Sequence, residues 1–126
     1  MSNTLVTITG NLTGDPELRE YDNARKTVIR VASTASVRDR TTGDFRNGST
    51  SFYNVSCWNA LGENVLKSMQ KGDPVVVTGR LEISAYQAQD GSPRQSAEIN
   101  ASNVGHDLKF GTTSFERPAR PEQAAA

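Results

Sequence analysis

Phe52-Tyr53-Asn54-Val55-Ser56-Cys57-Trp58-Asn59-Ala60 runs without a break into Leu61-Gly62-Glu63-Asn64-Val65-Leu66-Lys67-Ser68-Met69-Gln70-Lys71. The first half alternates large apolar or aromatic residues with small polar ones and reads as a strand over residues 52–60. In the second half Leu61, Val65, Leu66 and Met69 fall on one stripe at helical spacing, which predicts a helix over residues 61–71. Gly72 stands where a C-terminal cap glycine belongs, and Asp73-Pro74 prevents continuation.

Strand signals lie on both sides of this pivot. Residues 5–9 are rich in β-branched side chains and stop at Gly10, and Asp15-Pro16 marks a turn. Residues 27–34 form a second strand around Val28, Ile29 and Val31. Residues 38–51 carry Thr41-Thr42-Gly43-Asp44 and Asn47-Gly48 and are predicted as a long hairpin loop. Beyond the helix come a long strand over residues 75–86, a turn at Asp90-Gly91-Ser92-Pro93 and a last strand over residues 95–104. The order is β-β-β-α-β-β. An all-β chain with one short helix between strands three and four is the pattern of a five-stranded OB-fold barrel. An open β-sandwich is the rival architecture. From Gly111 the periodicity ends, so residues 1–110 are expected to be the domain and 111–126 a flexible tail.

The whole chain has 126 residues, enough for one domain with a hydrophobic core. Lys plus Arg equals Asp plus Glu at 14 each, so net charge is zero and no strongly basic or acidic partner preference is announced. The zero is a sum of opposed regions. Residues 24–48 hold six basic residues (Arg25, Lys26, Arg30, Arg38, Arg40, Arg46) against Asp39 and Asp44, while residues 15–22 hold four acids and one arginine. Either run, taken alone, reads first as a solvated surface. No apolar run approaches the ~20 residues of a membrane span, and the N-terminus lacks a signal-peptide pattern. A lone Cys57 excludes an internal disulfide and suits a reducing cytoplasm, where the protein is expected to act. With one cysteine and one histidine, His106, no zinc site is expected, nor any other metal or cofactor.

Side chains alternate across a strand, so each strand divides into two faces. Tyr53, Val55 and Cys57 make one face of strand three and read as core. Phe52, Asn54, Ser56 and Trp58 make the other. Buried faces rarely dilute aromatics with Asn and Ser, whose polar groups need partners once desolvated. Two flat rings on a polar face suit stacking, although a second small core or a subunit contact would use the same residues. Strand four repeats the division, with Val75, Val77, Leu81, Ile83 and Ala85 opposite Thr78, Arg80, Glu82, Ser84 and Tyr86. Gly79 is expected at a barrel bend. Rings with arginines beside them suit unstacked bases and phosphates, because every base has a π-face and cations neutralise the backbone. Phe52, Trp58 and Tyr86 are the candidate stacking residues, and Arg30, Arg38, Arg40 and Arg80 the candidate phosphate contacts. OB barrels also bind saccharides and proteins, so an OB-type protein-interaction module and an RNA binder are the alternative readings.

The chain resembles the bacterial single-stranded DNA-binding proteins of the SSB type over roughly residues 3–108. The resemblance is carried by the order and spacing of several pieces. They are Gly10-Asn11-Leu12-Thr13 with Asp15-Pro16-Glu17-Leu18-Arg19, Phe52-Tyr53-Asn54-Val55 leading to Trp58, and Glu63-Asn64-Val65 through Lys71-Gly72. Val75-Val76-Val77-Thr78-Gly79-Arg80-Leu81 and Tyr86 with Asp90-Gly91 complete them. The resemblance implies an OB-fold protomer, a homotetramer, and sequence-independent binding and protection of single-stranded DNA in replication, recombination and repair. It maps the family's stacking aromatics onto the same Phe52, Trp58 and Tyr86. Val37 stands where the family often has a further aromatic, which predicts a weaker platform at that end. The last residues, Pro121-Glu122-Gln123-Ala124-Ala125-Ala126, lack the family's acidic tail. Either the chain is a shortened form or it is a short accessory paralogue, the latter being the expectation, and in both cases tail-mediated recruitment of other proteins is not expected.

No catalytic motif set or phosphate-binding Gly-rich loop is present, so an enzyme is not expected. Cys57 is read as core and His106 as a surface residue. Leu5, Thr7 and Thr9, on the second face of strand one, are the candidate residues for pairing across a dimer interface.

Overall fold

The computed structural model describes residues 3–118. Its elements are β1 (Thr4–Leu12), β2 (Glu17–Glu20), β3 (Arg25–Arg38), β4 (Phe45–Trp58), α1 (Asn59–Ser68), β5 (Pro74–Gln87) and β6 (Pro93–His106). β1 pairs with β5, β5 with β6, β6 with β4, and β4 with β3. Asn11 and Leu12 of β1 then meet Ala32 and Val31 of β3, which closes the ring. The β4–β6 seam is parallel and short, joining Asn54, Ser56 and the Val55 between them to Glu98, Asn100 and Ile99. These five strands form the barrel of an OB fold, with the helix between its third and fourth strands as the sequence predicts.

β2 is a sixth strand that the sequence reading missed. It lies on the same edge of β3 that β1 reaches, pairing Glu17 through Glu20 with Val28 through Arg25. All four of its residues are exposed, so it carries no apolar alternation to reveal it.

The expected loop over residues 38–51 is mostly strand. Arg38 pairs with Phe45, Val37 with Arg46 and Ser36 with Asn47. The connection is only residues 39–44, closed by Asp39 N–H donating to the Asp44 carbonyl at 2.7 Å. Gly43, at φ +78°, supplies the left-handed residue that the turn needs. Asn47-Gly48, read as a turn signal, instead marks the register shift opposite Thr34 to Ser36. α1 also differs from its predicted span, starting two residues earlier and ending three earlier. Met69 is already extended. Gly72, at φ +93°, serves a turn in which Asp73 N–H donates to the Gln70 carbonyl, not a helix cap.

The core holds Leu12, Ile29, Val31, Val55, Cys57, Val65, Met69, Val75, Val77 and Ile99. Each barrel strand contributes its inward alternate residues, and α1 plugs one end with Val65. Gly79 lies where β5 crosses β6, and a Cβ there would collide with the Asn100 carbonyl. The register shifts at the same place, where β6 carries Ser102 as an extra residue. Beyond these crossings both hairpins continue past the barrel as arms, residues 33–38 with 45–51 and residues 82–87 with 93–98. Ile83 and Ala85, grouped by alternation with the inward residues of their strand, lie exposed on an arm with no layer behind it among the described residues. Ile83 is 61% exposed.

Candidate nucleic-acid interface

Pairing register places the candidate rings on one outer face. Trp58 is opposite Lys26, Ser56 opposite Val28, Asn54 opposite Arg30 and Phe52 opposite Ala32. Across the parallel seam Asn54 meets Glu98 and Ser56 meets Asn100. From there Asn100 pairs with Arg80, Glu98 with Glu82, Ser96 with Ser84 and Arg94 with Tyr86. Trp58, Phe52, Tyr86, Arg30 and Arg80 therefore share a single four-stranded surface, because opposed residues in a ladder point the same way.

At one end, Arg30, Phe52 and Tyr86 line a shallow pocket of about 320 Å³ with Asn54, Gln95, Ser96 and Ala97. The Arg30 guanidinium lies 4.8 Å from the centroid of the Phe52 ring. Phe52 and Tyr86 stay about half exposed, at 50% and 53%. Arg30 has no carboxylate partner among the described residues. The pocket thus offers flat apolar surface beside an uncompensated cation.

Trp58 holds the other end, six residues along β4 from Phe52, or about 20 Å at ~3.3 Å per residue. Its Nε1–H donates to Asn100 Oδ1 at 3.1 Å, which ties the indole to the neighbouring strand β6. The chain turns abruptly after it, with Asn59 at φ +55° and α1 beginning at once. Asn tolerates the left-handed region better than most residues, so this corner is built into the sequence. Tyr21, from the turn between β2 and β3, comes to 5.9 Å from Trp58 at a 37° tilt. Lys26 Nζ sits 5.4 Å from the Trp58 centroid and 5.6 Å from that of Tyr21.

The candidate arginines are not equivalent. Arg80 is on the shared face, but its Nη2 is bound to Glu82 Oε1 at 2.7 Å, and Glu82 faces Glu98 across the ladder. Arg38 ends β3 and Arg40 sits in the 39–44 turn, so both lie at the tip of an arm and away from the Trp58 end. Phe45, 70% exposed, pairs with Arg38 at that tip, close to the position where Val37 breaks the aromatic pattern. Arg25, counted in the basic segment, is tied to Glu63 at 3.1 Å and Glu20 at 3.5 Å. Sequence reasoning missed Tyr21, Lys26 and Phe45 as members of this surface. Their type was visible, but their neighbours are set by pairing between distant segments.

Cys57 is fully buried beneath this surface, and burial pushes its thiol up to about 12. A neutral, enclosed thiol is a poor nucleophile. His106 is not a free surface residue. It is half-buried, with Nε2 3.1 Å from Asp73 Oδ2, and it links the end of β6 to the turn before β5. No helix among the described residues is long and apolar enough to cross a membrane.

An OB barrel with an aromatic and basic outer face defines a class of oligomer-binding β-barrel proteins. Residues 3–107 match the profile of the Single-strand binding protein family, and the chain belongs to that family. It is 38% identical over 125 residues to single-stranded DNA-binding protein 2 of Streptomyces avermitilis, covering 99% of this chain and 78% of that one. Against the single-stranded DNA-binding protein of Mycobacterium leprae it is 35% identical over 118 residues, covering 93% and 70%. The crystal structure of the small single-stranded DNA-binding protein from Streptomyces coelicolor superposes with a TM-score of 0.78 at 34% identity, over 88% of this chain and all of that one. The second such protein of Mycobacterium smegmatis gives 0.69 at 29% identity, over 92% and 100%.

Proposed function

We propose that this chain binds and protects single-stranded DNA without reading its sequence, as a non-enzymatic component of DNA replication, recombination and repair. Phe52, Trp58 and Tyr86 stack bases, and Arg30, Arg38, Arg40 and Arg80 neutralise phosphates. The observation that carries this reading is the placement of three half-exposed rings on one sheet face, with Arg30 4.8 Å from Phe52 and without a carboxylate partner among the described residues. Stacking accepts any base, and a cation on the same face meets the phosphate that follows it. The names of the relatives agree with it.

The assembly is read as a homotetramer acting in the cytoplasm. β1 supports this, since residues 4–10 bond to β5 along one edge while the other edge has no strand beside it among the described residues. Leu5 is 75% exposed on the outward face, with Thr7 and Thr9 beside it, and an unpaired edge is a template for a second copy. With 35% hydrophobic residues, burial between protomers would supplement a small core. Residues 119–126, which include most of the sequence on which the tail reading rests, lie outside the described residues. Residues 111–118 carry neither helix nor strand.

Titration of oligo-dT into the protein at low salt tests the DNA reading. Trp58 fluorescence should be quenched and the complex should dissociate as salt rises. Unchanged fluorescence together with unchanged electrophoretic mobility of the DNA would overturn it. Light scattering after size exclusion tests the assembly, and a monomer mass would exclude the tetramer.

A further inference from the structure

Tyr21, Lys26 and Trp58 form a nook at the end of the face remote from Phe52 and Tyr86. We propose that Tyr21 and Lys26 are DNA-contacting residues. Tyr21 supplies ring surface to the base that stacks on Trp58, and Lys26 takes the adjoining phosphate. This rests on the single-stranded DNA reading above and assigns it two residues and a site.

Three observations carry it. The two ring centroids and the ammonium make a nearly equilateral triangle, with sides of 5.9, 5.6 and 5.4 Å. All three groups are accessible from outside, with Tyr21 51% and Trp58 40% exposed. Lys26 makes no ion pair among the described residues, although Glu17 and Glu20 lie on the neighbouring strand, where they pair with Arg19 and Arg25. An ammonium poised over two aromatic faces is held by attraction to the ring quadrupoles. That attraction is weak at an exposed site, so a phosphate and a base can replace it. The cation is already in position beside both rings.

The chain builds the nook deliberately. β2 pairs with β3 so that Arg19 opposes Lys26, and Lys26 opposes Trp58 on the next strand. The four-residue turn that follows β2 is closed by Tyr21 N–H donating to the Ala24 carbonyl at 2.8 Å, which turns the Tyr21 side chain over the sheet. β2 thereby extends the binding face by one strand beyond the barrel.

The test is fluorescence anisotropy of labelled oligo-dT, which does not depend on Trp58 emission. Wild type, Tyr21→Ala, Lys26→Met, Lys26→Arg and Phe52→Ala are compared across a salt series. Tyr21→Ala should weaken binding on the order of tenfold, within the range for loss of one stacked base. Lys26→Met should weaken it and lower the slope of log K against log salt by about 0.7 for each engaged site, and Lys26→Arg should restore both. Binding by wild type that is weakened in Phe52→Ala but unchanged in Tyr21→Ala and Lys26→Met would overturn this inference and leave the DNA reading standing. Absence of binding by wild type would sink both. Tyr21 and Lys26 lie outside the core, so circular dichroism should report the same fold for every variant at these two positions.

Discussion

The barrel and its two arms use the same strands for opposite purposes. Inside the ring, alternate residues of β3, β4, β5 and β6 are wholly enclosed, as with Ile29, Val55, Val77 and Ile99. Past the crossings the same strands carry Phe45, Ile83 and Tyr86 largely in the open. Apart from the register shifts near Gly79 and between Thr34 and Ser36, the strands stay paired along the way. What changes is whether another layer lies behind the strand. Apolar character alone therefore does not tell an enclosed position from an exposed one here, and Ile83 shows it.

The largest effect should come from the barrel. Ile99→Ala removes a fully enclosed side chain and should cost about 2–5 kcal/mol in urea denaturation, whereas Ile83→Ala on the arm should stay within about 0.5 kcal/mol. Equal losses at the two positions would erase the distinction. Alkaline pH probes the same contrast. The Cys57 thiol is held neutral by burial up to about 12, well above its unfolded value, so the unfolded chain releases its proton first. Stability should then be intact below about pH 8 and fall progressively from about pH 9 towards pH 12. Cys57→Ala should flatten that fall in denaturation curves, and Cys57 should resist iodoacetamide until the barrel opens.

On the outer face the effects concern binding alone. Phe52→Ala should weaken oligo-dT binding by about 1–3 kcal/mol while leaving the urea midpoint unchanged. A shifted midpoint would mean that the ring belongs to a core. The smallest effect is a gain. Glu82→Gln frees Arg80 from its 2.7 Å partner and removes one of two facing carboxylates, so affinity should rise by about two- to fivefold at low salt. The gain should vanish at high salt.

Much of this was legible in the sequence because it depends on local periodicity. Alternation from Phe52 to Trp58 separated Val55 and Cys57 from the two rings, and the stripe through Leu61 and Val65 located the helix. β2 was hidden because Glu17-Leu18-Arg19-Glu20 is exposed on both faces and has no apolar period to detect. The β3–β4 arm was hidden because Asn47-Gly48 serves a register shift as readily as a turn. The neutralisation of Arg80 by Glu82 follows from two residues on one strand face, a spacing present in the sequence but unweighted there. Tyr21 beside Trp58 could not be seen locally, since only the β2–β3–β4 register brings residues 21 and 58 together.

The short parallel seam between β4 and β6 also sets a timetable. It joins Asn54 to Glu98 and Ser56 to Asn100, so the barrel cannot close until the last strand has left the ribosome. Hairpins such as β3–β4 can form early, in about microseconds, but the seam must await a closure between residues 54–56 and 98–100, across the helix and the whole of β5. Closed β-topologies of this kind fold in about milliseconds to seconds. In that interval Phe52 and Trp58 stand on an incomplete sheet whose β4 edge is still unpaired. The aromatic face that suits a nucleic acid is, for a nascent chain, the surface most in need of being shielded.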